Sequence, residues 1–291
     1  MNERPKRIVA ALALAAFALA ATAARAEPAL WTVEGRGNKA WLFGSVHVLP
    51  KNGFEVEGAL AAALLHADEI CFEIDSDALD REAVQALTFE KAVDPEGRSL
   101  FDLMGDKADR AQTLAKVAGI ELAPFAPFEP WFVGITIAVV ALQQHGYDVE
   151  HGVERVIGRA AATERKPSCG LETMEEQLGF LDALAPEVQQ EILLRSLADA
   201  SEVDANMQQL LGAWQSGDTE RLLAVLEEDF KEFPGLADQL VYDRNERWAE
   251  TLAAKLEGGE DVLVVVGALH LVGERGLPAL LEQRGFKVRR H

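Results

Sequence analysis

Leu42-Phe43-Gly44-Ser45-Val46-His47-Val48-Leu49-Pro50 is the stretch whose reading decides the fold. Aromatic and aliphatic residues run into a glycine, and a histidine follows three positions later. This reads as a buried strand that ends abruptly and leaves a polar side chain at its mouth. The pattern returns at the other end of the chain, in Asp261-Val262-Leu263-Val264-Val265-Val266-Gly267-Ala268-Leu269-His270. One histidine after a strand is usually a satisfied polar residue. Two copies of strand-Gly-x-x-His, both strongly apolar, point instead to neighbouring strands in one sheet. Ligands bind in the crevice at the carboxyl ends of such strands, and His47 and His270 are expected to meet there. The expected fold is α/β. It has a mixed central sheet of about five strands drawn from both ends of the chain, and a large helical insertion over about residues 174–257.

The first residues stand apart from this domain. Arg4, Lys6 and Arg7 precede an apolar run from Ile8 to Ala24, which closes in Ala24-Arg25-Ala26. A basic start, an apolar centre and a small-x-small end describe a secretory signal peptide, cleaved near Ala26. Residues 27–291 then form a single domain that is periplasmic or secreted. No later run approaches the ~20 apolar residues of a membrane span, so no stable membrane insertion is expected.

Removing the leader takes away four basic residues and one acidic one, and the formal charge moves from −20 to −23. That surface repels phosphate backbones and anionic headgroups, which excludes nucleic acid as a partner class. A metal ion or a cationic ligand is compatible with it. The two cysteines, Cys71 and Cys169, both lie in or beside strand-like runs; a disulfide and a buried thiol pair are both open readings.

Between the two histidine motifs, the chain order predicts further site residues. Trp31-Thr32-Val33 and Lys39 to Phe43 flank a Gly-rich turn and read as a hairpin leading to His47. Glu55 to Ala67 reads as a helix with Glu55 and Glu57 in its first turn. Glu69 to Asp75 is a strand with Glu73 near its end, and a carboxylate there is costly unless paired or bound to a cation. Helical pieces follow, with an apolar helix from Val133 to Gln144. Another helix begins near Glu154 and Arg155, where the plain reading is a dipole-favoured acid and a solvent-facing arginine. A short strand from Lys166 to Gly170 places Glu172 just beyond its end. Thr173 with Glu176 forms the pattern of a capping box, and Asp218 is a second expected helix cap. Arg244 and Asn245 sit in a polar cluster on the last long helix.

Two imidazoles with two strand-end carboxylates suit a divalent ion such as Mn, Fe, Co or Zn. Metal-free acid–base chemistry by a His–Glu pair is a second reading, and structural hydrogen bonding a third. His-Glu-x-x-His, a phosphate-binding glycine loop and Gly-x-Ser-x-Gly are all absent from the sequence. Ser45 lies in a Gly-Ser-x-His sequence, but neighbours on a strand alternate in direction, which argues against Ser45 as a nucleophile.

The assembled motifs resemble the TraB/GumN family, which is related to the Tiki proteins. The resemblance covers nearly all of residues 27–291. It rests on the two Gly-x-x-His motifs, Phe72-Glu73-Ile74-Asp75, Pro130-Trp131, Gly152-Val153-Glu154, Gly170-Leu171-Glu172-Thr173 with Gln177, Ala213-Trp214 through Gly217-Asp218, and Arg244-Asn245 with Trp248. In the Tiki branch the corresponding positions are taken as the site of a metal-dependent protease. The resemblance therefore implies His47, Glu73 and His270 as the metal-binding core. Glu172, Arg244 and Asn245 would support it. Family members often carry Asp where this chain has Glu154, a longer side chain of the same charge. The expected function is an exported metal-dependent hydrolase, with a peptidase as its narrower reading. His47 and His270 would be ligands, Glu73 a ligand or general base, and Arg244 a partner for an oxyanion or substrate carboxylate. The competing expectation is a non-catalytic protein that captures a peptide or small ligand in the same crevice.

Overall fold

The computed structural model describes residues 27–291 apart from Arg36, Asp77, Ser201 and Glu232. The expected leader at 1–26 lies outside the described residues. The main sheet has six strands, one more than expected: β1 (Leu30–Glu34), β2 (Lys39–Ser45), β3 (Glu69–Phe72), β4 (Ser168–Gly170), β5 (Val262–Gly267) and β6 (Lys287–Arg290). Their order is β4-β3-β5-β2-β1-β6. β2, β5, β3 and β4 run parallel, while β1 is antiparallel to both β2 and β6. The sheet is thus mixed, and its centre joins the two ends of the chain: Ala40 of β2 pairs with Val262 of β5, and Ser45 with Gly267.

The continuous apolar run of β5 follows from burial on both faces. Side chains alternate across a strand. Leu263 and Val265 accordingly enter one core with Phe43, Leu30 and Ile70, while Val262, Val264 and Val266 enter another with Ala40 and Leu42. The first core is closed by the helices Gly58–His66, Val153–Thr163, Val203–Gln215 and Thr219–Asp229. The second is closed by Asp243–Gly258 and Leu277–Gln283. A separate cluster made of Leu100, Met104, Ala111, Val133, Ile137, Leu193 and Leu197 belongs to helices alone.

Local signals explain several boundaries. Thr173 and Glu176 form the expected capping box, and Asp218 accepts from the Arg221 N–H as the expected N-cap. Ser99 and Asp102 form a further capping box. The helix expected from Glu55 starts later, at Gly58, and has no acidic residue in its first turn. Glu57 is extended and Gly58 takes a positive φ of 59°, so the helix cannot start before that point. Cys71 and Cys169 face each other across β3 and β4 and form a disulfide, which resolves the two open readings. Among the described residues, no helix is long and apolar enough to cross a membrane.

Candidate functional site

The four parallel strands end on the same edge of the sheet, and each delivers one polar residue there. His47 follows β2, Glu73 follows β3, Glu172 follows β4, and His270 lies on the 3-10 turn Ala268–Leu271 after β5. Arg244 and Asn245 come from the start of helix Asp243–Gly258, directly after a π-helical turn at Asp238–Tyr242. π turns recur at functional positions because they re-aim the following residues. This one presents the Leu240 carbonyl to Arg244, whose Nη1 donates to it at 2.8 Å.

Arg244 is the centre of the buried part of the site. Its Nη2 donates to Glu73 Oε2 at 2.7 Å and to Glu172 Oε1 at 2.7 Å, while its Nε donates to Glu172 Oε2 at 3.0 Å. The pair with Glu172 is therefore bidentate, a geometry that the planar guanidinium provides and an ammonium does not. The Trp248 ring lies 4.7 Å from the Arg244 Cζ, and Phe180 lies 6.0 Å away on helix Met174–Asp182. Gln177 on the same helix donates to both carboxylates, at 3.4 Å to Glu73 and 3.2 Å to Glu172.

The two carboxylates are driven apart in acidity. Burial pushes Glu73 upward, but His270, which is charged at the low pH where Glu73 titrates, together with His47, Arg244 and the Gly267 N–H, outweighs it and holds the group at about 2. Burial also raises Glu172, and there the bidentate Arg244 does not fully reverse it, partly because Glu73 adds a like charge. Glu73 is thus the fixed anion, and Glu172 is the carboxyl that takes up a proton more readily.

His270 is buried, and burial holds it at about 4, in the neutral form. Its Nδ1 lies 2.7 Å from Asn245 Oδ1, which accepts the ring N–H. That assigns the lone pair to Nε2, which lies 3.3 Å from Arg244 Nη1 and 3.8 Å from Glu73 Oε1. Asn245 is held in turn by donating to the His270 and Arg275 carbonyls. The tautomer of His270 is therefore fixed by a fully buried amide.

His47 is built in the same way on the opposite side. Its Nδ1 lies 2.7 Å from Glu154 Oε1, and the Ser45 hydroxyl donates to that same oxygen at 2.5 Å. Glu154 is the main cause that raises His47 to about 9. Because 65% of the ring's surface is exposed, water screens part of that attraction. Glu154 is itself lowered, since the His47 charge overcomes its burial. Glu154 is thus a working member of the cluster, beyond the plain role of a dipole-favoured acid. Arg155, its neighbour, donates to Ser76 Oγ at 3.2 Å.

Gly267 explains how these groups converge. A Cβ at Gly267 would sit 3.2 Å from Glu73 Oε1, 3.5 Å from His270 Cδ2 and 3.9 Å from His47 Nε2. The space left by the missing side chain is bounded by all three expected ligands, and the Gly267 N–H donates to Glu73 Oε1 at 2.7 Å. Both histidines have Nδ1 held by an oxygen, as metal-ligating histidines commonly do. By donor type alone, two imidazoles and a carboxylate are the kind of set that suits a divalent ion of the Mn, Fe, Co and Zn group. Among the described residues, the donors that already lie within 4.8 Å of one another are Glu69, Cys71 and Cys169, whose sulfurs form the disulfide. The ligand atoms of His47, Glu73 and His270 do not all lie within that distance of one another.

Structure therefore brings together His47, Glu73, Glu154, Glu172, Arg244, Asn245 and His270. Reading the sequence did not find Ser45 as an anchor for Glu154, or Phe180 and Trp248 as the walls around Arg244. A second turn-spaced signal was present in Gln177, one helical turn after the Thr173 cap. A cavity of about 900 Å³ lies elsewhere, lined by Leu30, Phe43, Phe54 and Trp214 with Glu27, Glu55 and Glu57. None of the seven convergent residues lines it.

Residues 29–290 match the TraB/PrgY/gumN family. The chain is also similar to "Uncharacterized protein YbaP" of Escherichia coli (strain K12), at 25% identity over 246 residues, covering 84% of this chain and 89% of the relative. The protein of the same name in Shigella flexneri matches with the same identity and coverage. No solved structure matches.

Proposed function

This chain belongs to the TraB/PrgY/gumN family, and from that premise we propose that it is an exported metal-dependent hydrolase acting on peptides. The observation that carries the reading is the convergence of His47, Glu73 and His270 on the vacant side-chain position of Gly267. His47 Nε2, Glu73 Oε1 and His270 Nε2 would hold a Mn, Fe, Co or Zn ion. Such an ion supplies Lewis acidity toward a carbonyl oxygen and makes water a stronger acid. Glu73, held as an anion, suits a ligand better than a base. Burial raises Glu172 above the ordinary carboxylate value, and its bidentate pairing with Arg244 gives it a supporting role. Arg244 holds both carboxylates in place and, with Trp248 and Phe180, excludes water from the inner wall. Export rests on the leader-like residues 1–26 and is supported by the Cys71–Cys169 disulfide, which persists in oxidising compartments.

Metal content of the purified mature chain, measured by mass spectrometry beside a His47→Ala, His270→Ala variant, tests this reading. Near-stoichiometric metal that is lost in the variant is expected, followed by chelator-sensitive cleavage in a peptide screen. If neither protein holds metal after reconstitution, the proposal fails. The second reading, a non-catalytic peptide or small-ligand binding protein, is favoured by one observation: Arg244 already neutralises Glu73 and Glu172. Under it, Glu73→Gln weakens capture of the ligand and there is no turnover to lose.

A further inference from the structure

We infer that the Cys71–Cys169 disulfide is a positioning element of the candidate site, beyond its role as a staple of the sheet. The inference rests on the site geometry of the proposed function, but its first readout does not require a metal. β4 is an edge strand of three residues, joined to the sheet through β3 alone. Its ladder to β3 is Ile70 with Ser168, Cys71 with Cys169 and Phe72 with Gly170, so the disulfide sits at the middle of the contact. Directly beyond it, the Leu171 N–H donates to the Phe72 carbonyl and the Glu172 N–H donates to the Glu73 carbonyl at 3.0 Å. The two site carboxylates therefore share one backbone junction, two residues past Cys71 and three past Cys169.

From that junction the contacts run inward without a gap. Glu172 grips Arg244 through two hydrogen bonds, Arg244 Nη2 donates to Glu73 Oε2, and Glu73 Oε1 accepts from the Gly267 N–H. A three-residue edge strand has few ladder bonds of its own, and edge strands are the part of a sheet most easily lost. Ser168 adds a hydroxyl bond to the Asp75 carboxylate at 3.1 Å, still within the same short stretch. The covalent link locks the register of β4, beside the Ile70 N–H bond to the Pro167 carbonyl and the Lys166 Nζ bonds to the Leu65 and Ala67 carbonyls. Without it, Glu172 separates from Arg244, and Glu73 loses the partner that fixes its orientation toward Gly267.

The test uses the mature chain and a Cys71→Ser, Cys169→Ser variant, with a Cys71→Val, Cys169→Ala variant that refills the strand interior in case the serines prevent folding. Amide hydrogen exchange is read at Glu172 and Gly267, with β1 amides as the control, under conditions where far-UV circular dichroism is native. At least tenfold faster exchange at Glu172 and Gly267 with β1 unchanged is expected. Unchanged exchange at Gly267, or equal acceleration in β1, overturns the inference, because the disulfide is then at most a general staple. Manganese and zinc titrations provide the second readout, with affinity at least tenfold weaker in the variants. If the wild-type chain binds neither ion, the metal reading fails while the exchange result still decides the positioning role. Faster exchange with undiminished wild-type metal affinity also overturns it.

Discussion

Arg244 shows how much one buried residue can carry. Its guanidinium is the shared counter-charge of Glu73 and Glu172, and all three are buried. Removing one partner of such a set leaves an uncompensated charge, which typically costs about 3–5 kcal/mol. Arg244→Met should therefore destabilise the chain by about that amount in urea denaturation. Arg244→Lys should recover only part of it, since a single ammonium cannot keep the bidentate contact with Glu172. A loss below about 1 kcal/mol for Arg244→Met would contradict this view of the centre. His270 gives a pH prediction with a definite sign. Its folded value of about 4 lies below the ordinary 6.5, because burial disfavours the charged ring. The folded chain therefore prefers neutral His270, and this contribution is complete above 6.5. It is lost as pH falls from 6.5 through 4, about 3 kcal/mol in total. Chelator-treated wild type should lose about that much more stability across this window than His270→Gln in parallel urea titrations. Equal losses would show that His270 is not the group responsible.

At the scale of elements, the two Gly-x-x-His motifs have different reasons for their glycines. A Cβ at Gly44 would lie 3.0 Å from the Ala268 Cα, a backbone atom that cannot easily move. Gly44→Ala should separate β2 from the 3-10 turn that bears His270 and cost about 1–3 kcal/mol, as overpacking does. At Gly267 the nearest atom is Glu73 Oε1 at 3.2 Å, a side-chain atom rather than backbone. Gly267→Ala should leave stability within about 1 kcal/mol of wild type while weakening metal binding at least tenfold. Thermal denaturation beside a metal titration separates the two variants, and equal effects of both on stability would contradict the distinction. The motifs themselves were legible in the sequence, because an apolar run, a glycine and a polar residue report a strand end directly. So were the Thr173 capping box and the Asp218 cap, which are local side-chain-to-backbone signals. The pairing of Glu154 with His47 was not legible, because the contact depends on where helix Val153–Thr163 docks. The Val153 N–H donating to the Val46 carbonyl at 3.1 Å fixes that docking, and no short-range pattern encodes it.

For the molecule as a whole, the sheet and the helical cluster differ in how the chain must close to form them. β2 and β5 pair residues from opposite ends of the chain, as in Ala40 with Val262, and the strands are buried on both faces. That pairing could be inferred from the repeated motif, since two buried strands that each end in a glycine and a histidine belong to one edge. The helical cluster around Leu193 could not be inferred in the same way. Its helices are amphipathic, but their partners are set by packing geometry, which composition does not specify. Leu193 is fully buried against Leu100, Met104, Val133 and Ile137, and this cluster shares none of its buried members with the two cores that flank the sheet. A cluster with its own interior can open without the sheet opening. Leu193→Ala creates a cavity that should cost about 2–5 kcal/mol, and that cost should fall on the helices. In native-state hydrogen exchange, amides of Ala108–Ala118 and Pro130–Gln144 should lose protection in the variant, while β2 and β5 keep theirs. The metal uptake proposed for His47, Glu73 and His270 should be unchanged in the same sample, because none of the three belongs to the altered core. A uniform loss of protection across helices and strands would instead mean that the cluster and the sheet form one cooperative unit, and that the site depends on helical packing far from the strand ends that carry it.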